Sequence, residues 1–409
     1  MGEKGFNKRL MICGLRFEIF RAWTWYFRVT MLSPLLADQV ASVGAEPIQL
    51  QPAAYVLTNG SPLDAGDHTI PCVADWNGDG LPDLLLGYQT ASKVAVYLNS
   101  GSTTQPAFTT FADVQAGGTN IYLPSGACGS PSPWVCDYDG DGMRDLLVGS
   151  GSDGKVYFYR NINTDANPVL TNGAALLMSG NPLSVVYRAT PYVHDWDEDG
   201  LPDLLCGDVN GYVHWFRNVG TRQSPVYTND VLIQAGGTAV NFGLRSTVRV
   251  CDWDGDGVKD LLGAGSDNAA WCRNGGNNAL PALASPVRLR APIAGVGLAN
   301  IDTGYRMRLE VVDWNRDNVF DVLIGNSDGY LYLYEGYRFA LLGVVPQPAN
   351  NFVLQWSSAD FLKYELLYGN TPDSVQTVLA TNLLSAGKTT CWTNQCAEAQ
   401  RFYRVRIAP

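Results

Sequence analysis

The sequence predicts an all-β fold, a five-bladed β-propeller of ~60-residue, four-stranded blades followed by a small β-sandwich. Three observations predict it. One acidic segment recurs five times at near-even spacing. Between its copies apolar and polar residues alternate with period two, broken by turn residues, which is strand patterning. No apolar stripe of helical period runs through the repeats.

Composition agrees. Of 409 residues, 46% are hydrophobic and 11% aromatic, enough for a packed core, so a disordered chain is excluded. The 43 glycines and 22 prolines, with only 16% charged residues, favour short strands and frequent turns. Asp and Glu outnumber Lys and Arg 39 to 28, a net charge of −11. That balance argues against a nucleic-acid partner, because phosphate binding needs basic surface. No wholly apolar run is long enough for a transmembrane span.

At the N-terminus Lys4, Lys8 and Arg9 precede an apolar stretch, the order of a secretory signal. Arg16, Glu18, Arg21 and Arg28 then interrupt every apolar run. Residues 1–45 are therefore read as a poor targeting segment or a disordered N-terminus, outside the fold.

The five acidic segments span residues 73–87, 135–149, 193–207, 250–263 and 311–325, the fourth reading one residue shorter. Their first aspartates, Asp75, Asp137, Asp195, Asp252 and Asp313, lie 62, 58, 57 and 61 residues apart. Prolines at 52, 106, 168, 225 and 286 mark each unit a second time. Within a unit an apolar run ends at the acidic loop and a second follows it. A turn then leads to an aromatic third strand (93–98, 155–159, 212–216, 269–272 and 330–334), and the fourth starts near the proline. Four-stranded repeats of this length suit propeller blades, which pack radially and leave only short edges. The fifth unit runs out after Tyr334, whereas residues 53–57 carry a fourth-strand pattern ahead of the first loop. That segment is expected to complete the last blade, so the propeller takes residues 46–340.

From residue 344 the acidic loops cease. Five strands are expected at 352–356, 363–368, 375–379, 388–392 and 401–407, an antiparallel sandwich over residues 344–409. The nine cysteines fit no zinc or redox spacing. Cys72, Cys136, Cys206, Cys251 and Cys272 read as small buried hydrophobes, and Cys391 and Cys396 could form a disulfide.

The loops have the form D-x-[DN]-x-D-[GN]-x-x-D. In the second copy Asp137, Asp139 and Asp141 alternate along a tight turn, so their carboxylates converge. Gly142 supplies the left-handed reversal, the Met143 carbonyl faces inward and Asp145 closes the shell. Six or seven hard oxygens in flexible geometry suit Ca²⁺ better than Mg²⁺. The other shells are Asp75, Asn77, Asp79, the Leu81 carbonyl and Asp83; Asp195, Asp197, Asp199, the Leu201 carbonyl and Asp203; Asp252, Asp254, Asp256, the Val258 carbonyl and Asp260; and Asp313, Asn315, Asp317, the Val319 carbonyl and Asp321. An EF-hand is excluded, because its bidentate Glu position holds Leu86, Val148, Cys206, Gly263 and Ile324. The alternative is five Asx-rich turns without an ion, in which clustered carboxylates would repel. Up to five structural Ca²⁺ ions are expected. Sites two to four carry four carboxylates and should bind more tightly than sites one and five, where Asn77 and Asn315 replace one. Site five should be weakest, with Arg316 next to its shell. The aromatics at loop position two (Trp76, Tyr138, Trp196, Trp253 and Trp314) are expected to wedge between blades rather than to form a sugar-stacking ring.

With their D-x-D-x-D-G-x-x-D-L-L-x-G signature the units resemble the FG-GAP or VCBS repeats of integrin-type propellers. The fifth copy departs from it at Arg316 and Asn318. The tail resembles fibronectin type III domains in its Leu-Gln-Trp strand and its closing Arg-Phe-Tyr-Arg-Val strand. The first resemblance implies an extracellular, cell-surface or periplasmic protein with structural Ca²⁺, binding protein or glycan on the face opposite the acidic loops. The histidines are His68, His194 and His214 alone, the last two read as packing residues, and no G-x-S-x-G or H-E-x-x-H occurs. The expectation is therefore a non-enzymatic, Ca²⁺-stabilised recognition module for a glycan or protein. The alternatives are a polysaccharide-acting propeller enzyme and a purely architectural surface protein.

Overall fold

The computed structural model describes residues 8–12, 15–20, 26–31, 47–88, 92–121, 123, 130–266, 268–347, 351–369, 376–395 and 400–408. Among them every regular element is a strand, and no helix is long and apolar enough to cross a membrane. The chain forms two compact units, residues 53–290 with 300–336, and residues 1–52 with 291–299 and 337–409.

The larger unit contains five four-stranded antiparallel sheets, in the manner of a propeller. The second is Ser132–Cys136, Asp145–Gly149, Val156–Tyr159 and Ala174–Ala175. The first, third and fourth repeat that order from Ile70–Ala74, Thr190–His194 and Thr247–Cys251. The fifth starts at Arg308–Val312, and its outer strand comes from far upstream: Ala54 and Tyr55 pair with Leu333 and Tyr332. The second strands (such as Asp145–Gly149 and Asp203–Gly207) are buried along their whole length. They lie inside sheets covered on both faces, which is why they read as unbroken apolar runs.

Neighbouring sheets are laced by main-chain bonds. Ala189 N–H donates to Ser150, Ser246 to Asp208, Arg306 to Ser266 and Thr69 to Asn326, each from the approach to one sheet to the turn of the preceding one. The glycine that closes each acidic segment sits at this seam. A Cβ on Gly149 would fall 2.0 Å from the Ala189 carbonyl oxygen, and one on Gly325 2.2 Å from that of Thr69.

Pairing corrects two sequence readings. Thr247 faces Ala264 as Ser132 faces Gly149, so the fourth repeat is not short; Ala264 takes the glycine's place. The second landmark of that repeat is Pro281, not Pro286. Leu283 bridges to Asn274 and Ala235 as Tyr227 bridges to Asn218 and Met178. Pro52 also falls out, standing two residues before its strand where Pro168 stands six before Ala174. Unforeseen small hairpins follow the outer strands, including Gln115–Ala116 with Thr119–Asn120 and Gln234–Ala235 with Thr238–Ala239. Their turns (Gly117-Gly118, Gly236-Gly237) have positive φ at both central residues, the hairpin type whose twist matches the strands.

In the smaller unit, Leu341–Gln347, Asn351–Ser357 and Thr389–Gln395 form one sheet, and Lys363–Gly369, Thr377–Leu384 and Gln400–Ile407 belong to a second. Phe352, Leu354 and Trp356 of one share a core with Tyr364, Leu366, Tyr403 and Val405 of the other. The strand at 341–347 begins ahead of the expected boundary at 344. Residues 8–12, 15–20 and 26–31, set aside as a targeting or disordered segment, are strands that extend the second sheet through Gln400–Ile407. The charges that spoil the apolar run there alternate with apolar residues (Arg16-Phe17-Glu18-Ile19), which is strand period.

Candidate functional site

Each acidic loop joins the first and second strands of a sheet, and the five are near-copies. Positions four and six are left-handed in all of them: Gly78 and Gly80, Gly140 and Gly142, Glu198 and Gly200, Gly255 and Gly257, Arg316 and Asn318. The third-position side chain accepts from the fifth-position N–H, as Asn77 does from Asp79 (3.1 Å) and Asp254 from Asp256 (3.1 Å). The fifth-position carboxylate accepts from the seventh-position N–H, at Leu81, Met143, Leu201, Val258 and Val319, within 2.8–2.9 Å. These consecutive Asx turns gather the carboxylates. Oxygens of Asp137, Asp139 and Asp145, of Asp195, Asp197 and Asp199, and of Asp252, Asp254 and Asp260 lie within 4.8 Å of one another.

The ninth-position aspartates, predicted only as ligands, also clamp the sheet. Asp83, Asp145, Asp203, Asp260 and Asp321 are fully buried. One oxygen accepts from the N–H of Trp76, Tyr138, Trp196, Trp253 or Trp314. The other accepts from the N–H of Asn99, Asn161, Asn218, Asn274 or Gly336 at the end of the third strand. The asparagine oxygens in turn accept two N–H groups each, as Asn218 does from Gly220 and Val226. Sequence reasoning missed these asparagines, although each stands seven residues before Pro106, Pro168, Pro225 or Pro281.

Burial, reinforced by the neighbouring Asp139, Asp197 or Asp254, pushes Asp145, Asp203 and Asp260 up to about 6; burial and Asp317 push Asp321 to about 7. At neutral pH such clusters repel internally. Two charges 4.8 Å apart cost about 3 kcal/mol at an effective dielectric of 20. A divalent cation would remove that cost, and the residues fit one. Asp75, Asp137 and Asp195 each present a buried Oδ1 with no hydrogen-bond partner. The donors are carboxylate and amide oxygens, without nitrogen or sulfur, which suits Ca²⁺. Loops four and five differ: Asp252 Oδ1 accepts from Gly255 and Asp256, and the Asp313 oxygens accept from Asp317 and Asn318.

Cations already present change the expected ranking of sites. Arg160, Arg217 and Arg273 each hold the third- and fifth-position carboxylates of loops two, three and four, Nε at 2.6 Å and Nη2 at 2.9–3.0 Å. Leu98 and Glu335 occupy that place in the first and fifth repeats. The fourth carboxylate of the middle loops is thus offset by an arginine. Arg316 does not crowd the fifth shell; its guanidinium reaches the Gly80 carbonyl of loop one (2.9 Å). Arg144 likewise reaches Asp75 (3.2 Å), and Lys259 the Asp195 carbonyl (2.7 Å).

The five loop aromatics are buried, as the wedge reading expects. Trp76 lies among Val135, Leu146 and Leu170 of the next repeat, and Trp314 among Leu84, Leu86 and Phe108 of the first. A groove of about 600 Å³ is lined by Trp215, Arg217, Val231 and Leu280, but its polar groups are engaged, Trp215 with Asp203 and Arg217 with Asp197 and Asp199. His194 is half-buried, and desolvation lowers it to about 4. His214 is buried between Asp230 (2.7 Å) and Asp208 (3.6 Å). Cys72, Cys206, Cys251 and Cys272 are buried, whereas the pairing of exposed Cys391 with Cys396 falls on a residue outside the described ones.

Residues 195–262, which hold loops three and four, match the FG-GAP-like repeat family. Over 146 residues the chain is 27% identical to integrin alpha-4 of Xenopus laevis, a match covering 33% of this chain and 14% of that protein. Among solved structures, an Agrocybe aegerita lectin described for recognition of non-reducing terminal N-acetylglucosamine aligns at 16% identity and a TM-score of 0.34, over 96% of this chain and 86% of its own. A glycoside hydrolase aligns at 9% identity and a TM-score of 0.26, over 98% and 94%. The sequence matches agree with the loop geometry: residues 195–262 are FG-GAP-like, and the other three acidic loops share the left-handed positions of the two loops in that stretch.

Proposed function

We propose that the larger unit is a closed, five-bladed propeller acting as a Ca²⁺-stabilised recognition module, extracellular or periplasmic, with a glycan or protein ligand on the face opposite the acidic loops. The observation that carries the reading is the fivefold acidic loop, whose carboxylates accept from the loop backbone and the third strand and, in loops two to four, gather around a common centre. Closure is supported by Ala54–Tyr55 in the fifth sheet and by Trp314 against the first. Positions one, three, five and nine would hold Ca²⁺, which supplies the charge that lets them pack ionised. The two-sheet core of the smaller unit supports a fibronectin type III-like domain.

Calorimetric Ca²⁺ titration of the whole chain, followed by glycan-array and protein-capture screens of the loaded form, tests this. Saturable Ca²⁺ uptake with a raised melting temperature, and capture of a glycan or protein, are expected. No uptake, with chelator leaving melting unmoved, refutes the metal reading. Polysaccharide cleavage would replace recognition by catalysis, and loaded protein that captures nothing would favour an architectural role.

A further inference from the structure

The first strands place matching residues in layers along the centre of the five sheets. One layer is Cys72, Trp134, Tyr192, Arg249 and Glu310. There Arg249 is balanced: it meets Glu310 through Nε and Nη2 (2.7 and 2.8 Å) and lies over the rings of Trp134 and Tyr192. Two residues back along each strand, away from the acidic loops, the layer is Ile70, Ser132, Thr190, Thr247 and Arg308. Two further back it is His68, Ser130, Arg188, Arg245 and Arg306.

That end collects four arginines and a histidine. Arg308 is 3% exposed and Arg188 5%. Arg308 donates Nη1 to the Met307 carbonyl, but its Nε, Arg188 Nη2 and Arg306 Nε are buried without a partner. Among the described residues no carboxylate pairs with Arg188, Arg306 or Arg308; Glu310 is taken by Arg249, and Asp67 lies 3.3 Å from His68. Burial first, then the charges of Arg188, Arg245 and Arg306, oppose the charge on Arg308. Guanidinium cannot shed its proton to escape, so buried repulsion of this kind calls for a counter-anion. The backbone is committed to the arrangement: His68, Arg188, Arg245 and Arg306 all have φ between 50° and 66°, strained for residues with a Cβ. Tyr187, Leu244 and Tyr305, each just before one of the arginines, are about half exposed and form an apolar rim. The Arg306 guanidinium lies 5.1 Å from the Tyr305 ring centre.

We propose that Arg188, Arg306 and Arg308, with Arg245 and His68, form a receptor for an oxyanion, the carboxylate or sulfate of an acidic saccharide whose ring rests on Tyr187 and Tyr305. This deepens the recognition reading and rests on it. Guanidinium forks match planar carboxylates and sulfate oxygens, and aromatic faces suit sugar rings.

The test is calorimetric titration of the full chain, at fixed ionic strength and in millimolar Ca²⁺, with sulfate, glucuronate and glucose, comparing wild type with Arg188→Asn and Arg306→Asn. Asparagine tolerates the left-handed backbone. Glucuronate, sulfate or both should saturate a single site, glucose should not bind, and each variant should weaken the anion at least tenfold. Without anion the variants should melt at or above wild type, because one repelling charge is gone. Binding by one anion alone identifies its group as the ligand's. No saturable uptake, or an affinity in both variants equal to that of wild type (an adventitious ion only), overturns the proposal. So does competition by an acidic peptide where acidic saccharides fail. Should the variants not fold, sulfate must still protect wild type against heat more than chloride does; equal protection overturns it. A neutral glycan or a protein captured equally by wild type and Arg306→Asn would sink this inference and leave recognition standing. Anion binding in a protein that captures no glycan or protein would do the reverse.

Discussion

At one end of the five sheets equivalent positions are copies. Two left-handed residues, two Asx turns, a buried clamp aspartate and a buried aromatic recur in every loop. At the other end equivalent positions hold His68, Ser130, Arg188, Arg245 and Arg306, and no two neighbouring repeats agree beyond the arginines. Repetition is what a shared structural task produces, since each sheet meets its neighbour the same way. Divergence at a strained, buried, charged ring is not required by packing, which neutral residues would serve at lower cost. The acidic end thus repeats one arrangement in all five sheets, whereas the arginine end varies from repeat to repeat around the main-chain bonds that lace the sheets.

Removing cations from the acidic end should have the largest effect. Each ion bound only to the folded state adds about 2.7 kcal/mol at a hundredfold excess over Kd. Thermal unfolding in chelator should therefore fall many degrees below that in millimolar Ca²⁺; coincident curves would refute ion binding at the acidic end. Next comes the clamp. Asp203→Ala strips acceptors from Trp196 N–H, Asn218 N–H and Trp215 Nε1 and should cost about 3–5 kcal/mol by urea unfolding, even with Ca²⁺. Asp139→Ala, which leaves the Asp145 clamp intact, should lose one equivalent of ion and cost less. Equal losses would make the ninth position a ligand only.

His214, near the arginine end, lies between two carboxylates. Burial disfavours its charge, but Asp208 and Asp230 outweigh it and raise the group from 6.5 to about 9. Since the folded value is the higher one, its contribution is fully present below about 6.5 and is lost as pH rises through about 9, at most about 3 kcal/mol. Stability of wild type should decline across that window, and His214→Gln should flatten the decline; an unchanged slope would assign it to other groups. Smallest is Arg160→Leu, which gives the second loop the residue of the first. With the offsetting charge gone, Ca²⁺ should bind that loop several-fold more tightly by competition titration, while stability in saturating Ca²⁺ barely moves, because an exposed ion pair contributes little. Weaker binding would make Arg160 an organiser of the site.

What the sequence determined by itself is what local chemistry dictates. Spacing of Asp, Asn and Gly writes the loops, because Asx turns and left-handed residues act within a few positions. Alternation writes the strands, and even the outer strand of the fifth sheet at Ala54–Tyr55 was legible from a missing pattern at one end and a spare one at the other. Other features depend on contacts between residues far apart in the chain. Arg160, Arg217 and Arg273 are ordinary strand-end residues in sequence; only cross-strand pairing sets them over the acidic loops. Arg316 looked harmful to its own loop because its reach to Gly80 crosses from the fifth repeat to the first. The arginine ring is invisible along the chain for the same reason: Arg188, Arg245 and Arg306 are about 60 residues apart, and only the convergence of the first strands brings their charges together. Charge acts through space, and sequence spacing reports only the part of space that one loop or strand can span.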